Sequence, residues 1–211
     1  VKAFAYGSGS AEVAHLLQFH RVDYLAVAYA DEGVFLREHG ITLPIMVMNP
    51  SEDTFDKLLQ YELEPELYSF RILKAFIHFL TDKQQTSKIH LKIDTGMRRL
   101  GFTLAEVPDL LALLTQPNNE SAPPLQLIEI ASMFSHLAGA DDATHQAYSQ
   151  QQISDFQKAA HQIEATISYQ VIKHILNSPG IVRFPEAHLD MVRLGIGLYG
   201  VEANQMEQHQ L

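Results

Sequence analysis

Short runs rich in Ile, Val, Leu and Tyr alternate with amphipathic stretches along the whole chain, and this alternation constrains the fold more than any single residue does. The runs are Val1–Phe4, Tyr24–Ala28, Ile45–Met48, Glu66–Tyr68, Lys88–Asp94, Leu127–Ser135, Val171–Leu176 and Met191–Tyr199. Their continuous apolar character suits strands buried on both faces. The helical patterns between them are Ala11–Phe19, Ala30–Glu38, Ser51–Gln60, Ser69–Leu80, Leu104–Leu114 and the long Asp142–Ala165, whose Gln-rich outer face reads as solvated. Ser51 and Thr54 supply capping chemistry after Pro50, and Glu52 and Asp53 suit a first helical turn. Room remains between the last two strands for a short helix. Repeated strand–helix units predict a parallel sheet with right-handed crossovers. Eight of them predict an α/β chain closed as a (β/α)8 TIM barrel. The alternative is an open doubly wound sheet, which normally shows G-x-G-x-x-G after its first strand. Here Gly7-Ser8-Gly9-Ser10 lacks the third glycine.

Composition narrows the function classes. The chain has 211 residues, 46% of them apolar, and a formal net charge of −10. So acidic a chain argues against nucleic-acid and anionic-membrane partners, which need clustered Lys and Arg. It leaves room for a local basic pocket around a small anion. With no cysteine, disulfides, thiolate catalysis and Cys-ligated zinc drop out. No apolar run approaches the roughly 18–20 residues of a membrane span, and no basic-then-apolar leader is present, so a cytoplasmic location is expected. Val1–Phe4 begins like the second half of a strand, and Gln205–Leu211 is a polar tail, so the sequence reads as part of a longer chain.

In a barrel the active site lies at the carboxyl ends of the strands. The residues there are Lys2 and Tyr6; Lys92, Asp94 and Arg99; Ser135 and His136; His174, Asn177 and Ser178; and Arg193, Gly195 and Ile196. Cationic and polar groups thus gather at one rim of an acidic protein, as an anionic ligand requires. A lysine buried in a strand loses ammonium character and becomes a better amine nucleophile; the alternative for Lys2 is a side chain that snorkels to water. Arg193 stands alone in an apolar run and needs a ligand or a partner such as Asp190 or Glu186. Gly195 and Gly197 allow close backbone approach, and N–H groups there could bind a phosphate. His136, Asp141, Asp142 and His145 lie close in sequence, but nothing in their spacing is specific for a metal, and none is expected. No G-x-S-x-G motif is present.

Five segments, in order, resemble those of alanine racemases. Lys2-Ala3-Phe4-Ala5-Tyr6-Gly7 with Gly9 resembles K-A-x-A-Y-G-H-G, with Ser8 where the family's spacing puts histidine. His90 to Gly101 resembles H-x-K-x-D-T-G-M-x-R-x-G. Ser135-His136 resembles T-H-x-A. Asn177-Ser178 and the run Asp190 to Gly200 resemble two more, the last very specific.

The resemblance implies a barrel that binds pyridoxal 5'-phosphate (PLP), with Lys2 holding the cofactor and serving as one of two catalytic bases. Tyr6, Ser178 and the backbone at Gly195 and Ile196 would hold the phosphate, with Asn177 beside it. Arg193 would face the pyridine nitrogen, keep it unprotonated and weaken the ring as an electron sink; His174 would hydrogen-bond to Arg193. His136 would pack on the ring, and Arg99 would reach the phenolic oxygen. Lys92 is a position that family members often carry as a carbamate, which would orient Arg99. Residues 1–200 would be the barrel, and 201–211 the start of a linker toward a C-terminal β-domain absent from this sequence. That domain, from the partner subunit of a homodimer, would supply the second base, a tyrosine. The implied function is interconversion of L- and D-alanine for peptidoglycan precursors, and these residues alone would bind PLP weakly and racemise poorly or not at all. The segment Leu17 to Ala28 resembles racemase halves fused behind a D-Ala-D-Ala ligase. Competing expectations are a decarboxylase of the same fold, which Arg193 disfavours, and a single-domain PLP-binding homeostasis-type barrel without racemase activity.

Overall fold

The computed structural model describes residues 1–116 and 123–201. The expected linker at 201–211 therefore lies, beyond Val201, outside the described residues. The chain divides into two compact units, Val1–His90 with Gln126–Glu129, and Leu91–Leu125 with Ile130–Leu211.

In the first unit, β1 (Leu25–Val27), β2 (Ile45–Val47) and β3 (Glu64–Leu67) pair in parallel, with Leu25 against Ile45 and Met46 against Glu64. Around them lie α2 (Ser10–Phe19), α3 (Ala30–Glu38), α4 (Phe55–Gln60) and α5 (Phe70–Lys83). The strands expected over Tyr24–Ala28, Ile45–Met48 and Glu66–Tyr68 are present within one or two residues, and the helix expected over Ser51–Gln60 splits into a 3-10 turn, Glu52–Thr54, followed by α4. α5 shows why such segments are helical. Ser69 caps it by accepting from the Ile72 N–H, and Ile72, Leu73, Phe76, Ile77 and Leu80 fall on one buried face. Phe76 meets Phe55 edge-on at 4.9 Å. Burying each such side chain stabilises by roughly 1.5–3 kcal/mol.

In the second unit, β4 (Ser87–Asp94), which begins in the first, pairs in parallel with β5 (Phe102–Thr103). β6 (Ile128–Phe134) pairs with β7 (Ile172–His174). The helices are α6 (Val107–Thr115), α7 (Gln146–Ile167) and the short α8 (Ser178–Arg183). Phe102, Leu110, Leu114, Phe134, Phe156 and Ile163 are fully buried. The two-residue β5 has no counterpart among the expected strands.

Two expected strands do not form. Val1–Phe4 is not extended: α1 (Lys2–Tyr6) is a left-handed turn, with φ near +50° from Ala3 to Tyr6. Four consecutive non-glycine residues there cost about 1–2 kcal/mol each, so tertiary contacts override an extended preference. Met191–Tyr199 is irregular, ending in a 3-10 turn over Ile196–Tyr199. Just before it, Asp190 N–H donates to Lys173 O in β7, and within it Arg193 N–H donates to Leu176 O, two residues beyond β7. Gly195 then leaves the extended region at ψ −108°. Val192, Leu194, Ile196 and Leu198 are exposed, so the run is not buried on both faces.

Candidate functional site

Arg193 organises the second unit's site. Its Nη2 donates to Ser135 O at 2.6 Å and Ile175 O at 2.9 Å and lies 3.3 Å from His136 Nδ1. Its Nη1 donates to His174 O at 3.2 Å and meets His174 Nδ1 at 2.7 Å. A guanidinium cannot accept a hydrogen bond, so Nδ1 is the acceptor and the His174 proton sits on Nε2. That proton is then donated to Ser132 Oγ at 3.0 Å. His174 is fully buried and stacks on Phe134 with centroids 4.7 Å apart and planes 6° apart. The guanidinium carbon lies 5.1 Å from the same ring. Carbonyls at the ends of β6 and β7 thus hold a planar fork in one orientation. Asp190 Oδ2 accepts from the Lys173 N–H at 2.9 Å and lies 3.1 Å from Lys173 Nζ.

β4 leads into the loop Asp94–Gly101. Asp94 Oδ1 accepts from the N–H groups of Gly96 (2.8 Å) and Arg98 (3.1 Å), and Thr95 and Ser135 join hydroxyl to hydroxyl at 2.8 Å. Buried Lys92 places its Nζ 4.1 Å from the centre of the Phe134 ring, while Arg99 is exposed. Lys92, Asp94, Arg99, Ser135 and His136 line one small cavity.

After β7, Asn177 caps α8 by accepting from the Gly180 N–H at 3.2 Å. Ser178 Oγ accepts from the N–H groups of Gly195 (2.9 Å) and Gly197 (3.2 Å). Three hydrogen-bonding groups therefore converge around one point. A Cβ on Gly197 would stand 3.1 Å from Ser178 Cβ, so any larger residue there would push Ser178 back by a few tenths of an ångström.

In the first unit, Lys2 and Tyr6 are exposed on the left-handed turn. This corrects the expectation of a lysine buried within a strand: the turn carries its side chain to the surface. The structure brings Arg193, His174, His136, Ser135 and Lys92 together, and separately Ser178, Gly195 and Gly197. Ile196 lies between the two glycines and is exposed.

Three residues were missed by the sequence. Gln152, fully buried, accepts from Ala138 N–H (3.0 Å) and donates to His136 O (3.1 Å), holding the His136 loop. Its register with Ser149 and Phe156 on the buried face of α7 was the available signal. Ser132 Oγ takes the proton that His174 carries on Nε2, and Glu32 contacts the turn that bears Lys2.

These arrangements can be set beside known proteins. The model of the family "Alanine racemase, N-terminal domain" matches residues 1–203. The chain belongs to the alanine racemase family. Among its relatives, the alanine racemase of Methanococcus maripaludis is 36% identical over 98% of this chain and 53% of that protein, and that of Carboxydothermus hydrogenoformans is 37% identical over 95% and 52%. The chain thus spans about half the length of the curated relatives it matches. The structure of alanine racemase from Clostridium difficile 630 aligns with a TM-score of 0.85 at 33% identity, covering 97% of this chain and 51% of that one. The alanine racemase of Bartonella henselae, solved with covalently bound pyridoxal phosphate, aligns with a TM-score of 0.82 at 26% identity, over 96% and 56%. The α/β barrel class expected from the sequence therefore holds, with its first and last strands corrected as above.

Proposed function

We propose that the protein carrying this chain interconverts L- and D-alanine with pyridoxal 5'-phosphate, supplying D-alanine for peptidoglycan precursors in the cytoplasm, as a homodimer. The observation that carries the reading is Arg193, locked by His174 and three carbonyls within the most specific family segment. The residues present fit the cofactor. Ser178 Oγ with the N–H groups of Gly195 and Gly197 offers converging donors for a phosphate, and Lys2 is an accessible amine.

When bound, PLP acts as an electron sink that makes the substrate α-hydrogen acidic. Lys2 would hold the cofactor and move a proton at the α-carbon from one face. The second base lies outside these residues, on a partner subunit's C-terminal domain. Tyr6, Ser178, Gly195 and Ile196 bind the phosphate, and Asn177 shapes the turn beside it. Arg193, held by His174, would face the pyridine nitrogen as a cation that cannot protonate it. His136 would pack on the ring, Arg99 would reach the phenolic oxygen, and Lys92 would orient Arg99. Residues 1–200 would carry the cofactor site.

Chiral chromatography after incubation with PLP and L-alanine tests this. D-alanine should accumulate with the protein in its homodimeric form and fall by at least about a thousandfold in Lys2→Ala, the size of effect expected for losing a catalytic base. Equal turnover by Lys2→Ala, or none by the dimeric protein, contradicts it.

A further inference from the structure

Glu32 stands at the third position of α3, and its carboxylate is shared between two stretches of chain. Oε2 accepts from the N–H groups of Ala28 at 2.6 Å and Tyr29 at 3.2 Å, where β1 leads into the helix. Oε1 accepts from the N–H of Ala3 at 2.7 Å. A glutamate that reaches back to the N-cap amide is ordinary helix capping, and this explains the Tyr29 contact alone. The Ala3 contact spans 29 residues and ends on the amide that directly follows Lys2.

That amide is also where the backbone turns left-handed. Ala3, Phe4, Ala5 and Tyr6 have φ of 54°, 54°, 51° and 56°. Such a run persists only where its surroundings hold it. It closes through Ala5 N–H to Val1 O, Gly7 N–H to Phe4 O and Gly9 N–H to Phe4 O. At its entrance the Ala3 N–H is taken by the Glu32 carboxylate, in a charge-assisted bond stronger than a neutral one. The peptide plane between Lys2 and Ala3 fixes the direction in which the Lys2 side chain leaves the backbone. One carboxylate therefore ties the departure of Lys2 to the rigid end of β1.

We propose that Glu32 is a positioning residue for Lys2, a clasp that holds the lysine-bearing turn in register with β1. This rests on the reading of Lys2 as the cofactor lysine. In that step Lys2 Nζ bonds to the aldehyde carbon of PLP and one water leaves. A lysine aimed in advance attaches faster, because less orientational freedom is lost at the moment of bonding.

The test compares wild-type protein with Glu32→Ala and Glu32→Gln. PLP is added for a limited time, borohydride delivers hydride to the new carbon–nitrogen bond and makes it permanent, and peptide mass spectrometry measures label at Lys2. In parallel, amide hydrogen exchange is followed at Ala3, Ala28 and Tyr29 without cofactor. In Glu32→Ala, labelling of Lys2 should slow on the order of tenfold or more, with faster exchange at Ala3. Glu32→Gln, which keeps one acceptor oxygen, should fall between, and it carries the test if the alanine variant does not fold. Leu114→Ala, a core change in the second unit, controls for general loosening and should label at the wild-type rate. If the wild type labels at Lys2 while both Glu32 variants match its rate, or lose protection only at Ala28 and Tyr29, the clasp is wrong and the cofactor reading stands. If the wild type does not label at Lys2, the cofactor reading itself fails and the proposal falls with it.

Discussion

Residues that hold the site by satisfying buried backbone groups make the sharpest stability predictions. Gln152→Leu leaves the Ala138 N–H and the His136 carbonyl without their partner. Each orphaned group costs about 1–3 kcal/mol, so urea unfolding should show a loss of about 2–4 kcal/mol. Gln150→Leu, on the exposed face of the same helix, should stay within about 0.5 kcal/mol. Arg193→Ala strips donors from the carbonyls of Ser135, His174 and Ile175, and a loss of about 2–4 kcal/mol is expected by the same measurement. Arg193 was legible in the sequence because a lone cation in an apolar run demands a partner. Gln152 was hidden among neighbouring glutamines, where a Gln-rich tract reads as solvated. Glu32 looked like any first-turn acid, since the residue it reaches lies far away in the chain.

At the scale of elements, the interior strands and most helices were legible because their hydrophobic periodicity comes from packing. The ends were not. Val1–Phe4 has strand-like composition, yet it turns left-handed because contacts from α3 and β1 decide its backbone. The run after Asp190 is apolar, but its glycines bend it and half its side chains face outward. The loop closing β4 onto β5 depends on Gly101, whose φ is +129° and whose Cβ would stand 2.6 Å from the Asp94 backbone nitrogen. Gly101→Ala should cost more than about 2 kcal/mol in chemical denaturation. At Gly40, with φ +79° but open space around a Cβ, alanine should cost about 1 kcal/mol. Similar losses at the two sites would mean that the loop yields easily.

Over the whole molecule, alkaline pH should weaken the fold. Burial pushes the Tyr24 phenol well above its ordinary value of 10.0, and the charge and hydrogen bond of Glu64 push it further the same way. For Lys173, burial disfavours the charge, but hydrogen bonds to Glu164 and Asp190 outweigh it and the pKa rises. Both groups keep their proton in the folded chain where the unfolded chain has lost it. Their stabilisation is complete below the unfolded values and fades as pH rises past about 10. Urea midpoints should therefore hold steady at neutral pH and fall above about pH 10, and Tyr24→Phe should soften the fall. A midpoint that rises above pH 10 contradicts this. Mapping of borohydride-trapped PLP decides whether Lys2 is the cofactor lysine. One label is expected, on the peptide that carries Lys2; label on another lysine such as Lys92, or none at saturating cofactor, would show that Lys2 is not the cofactor lysine.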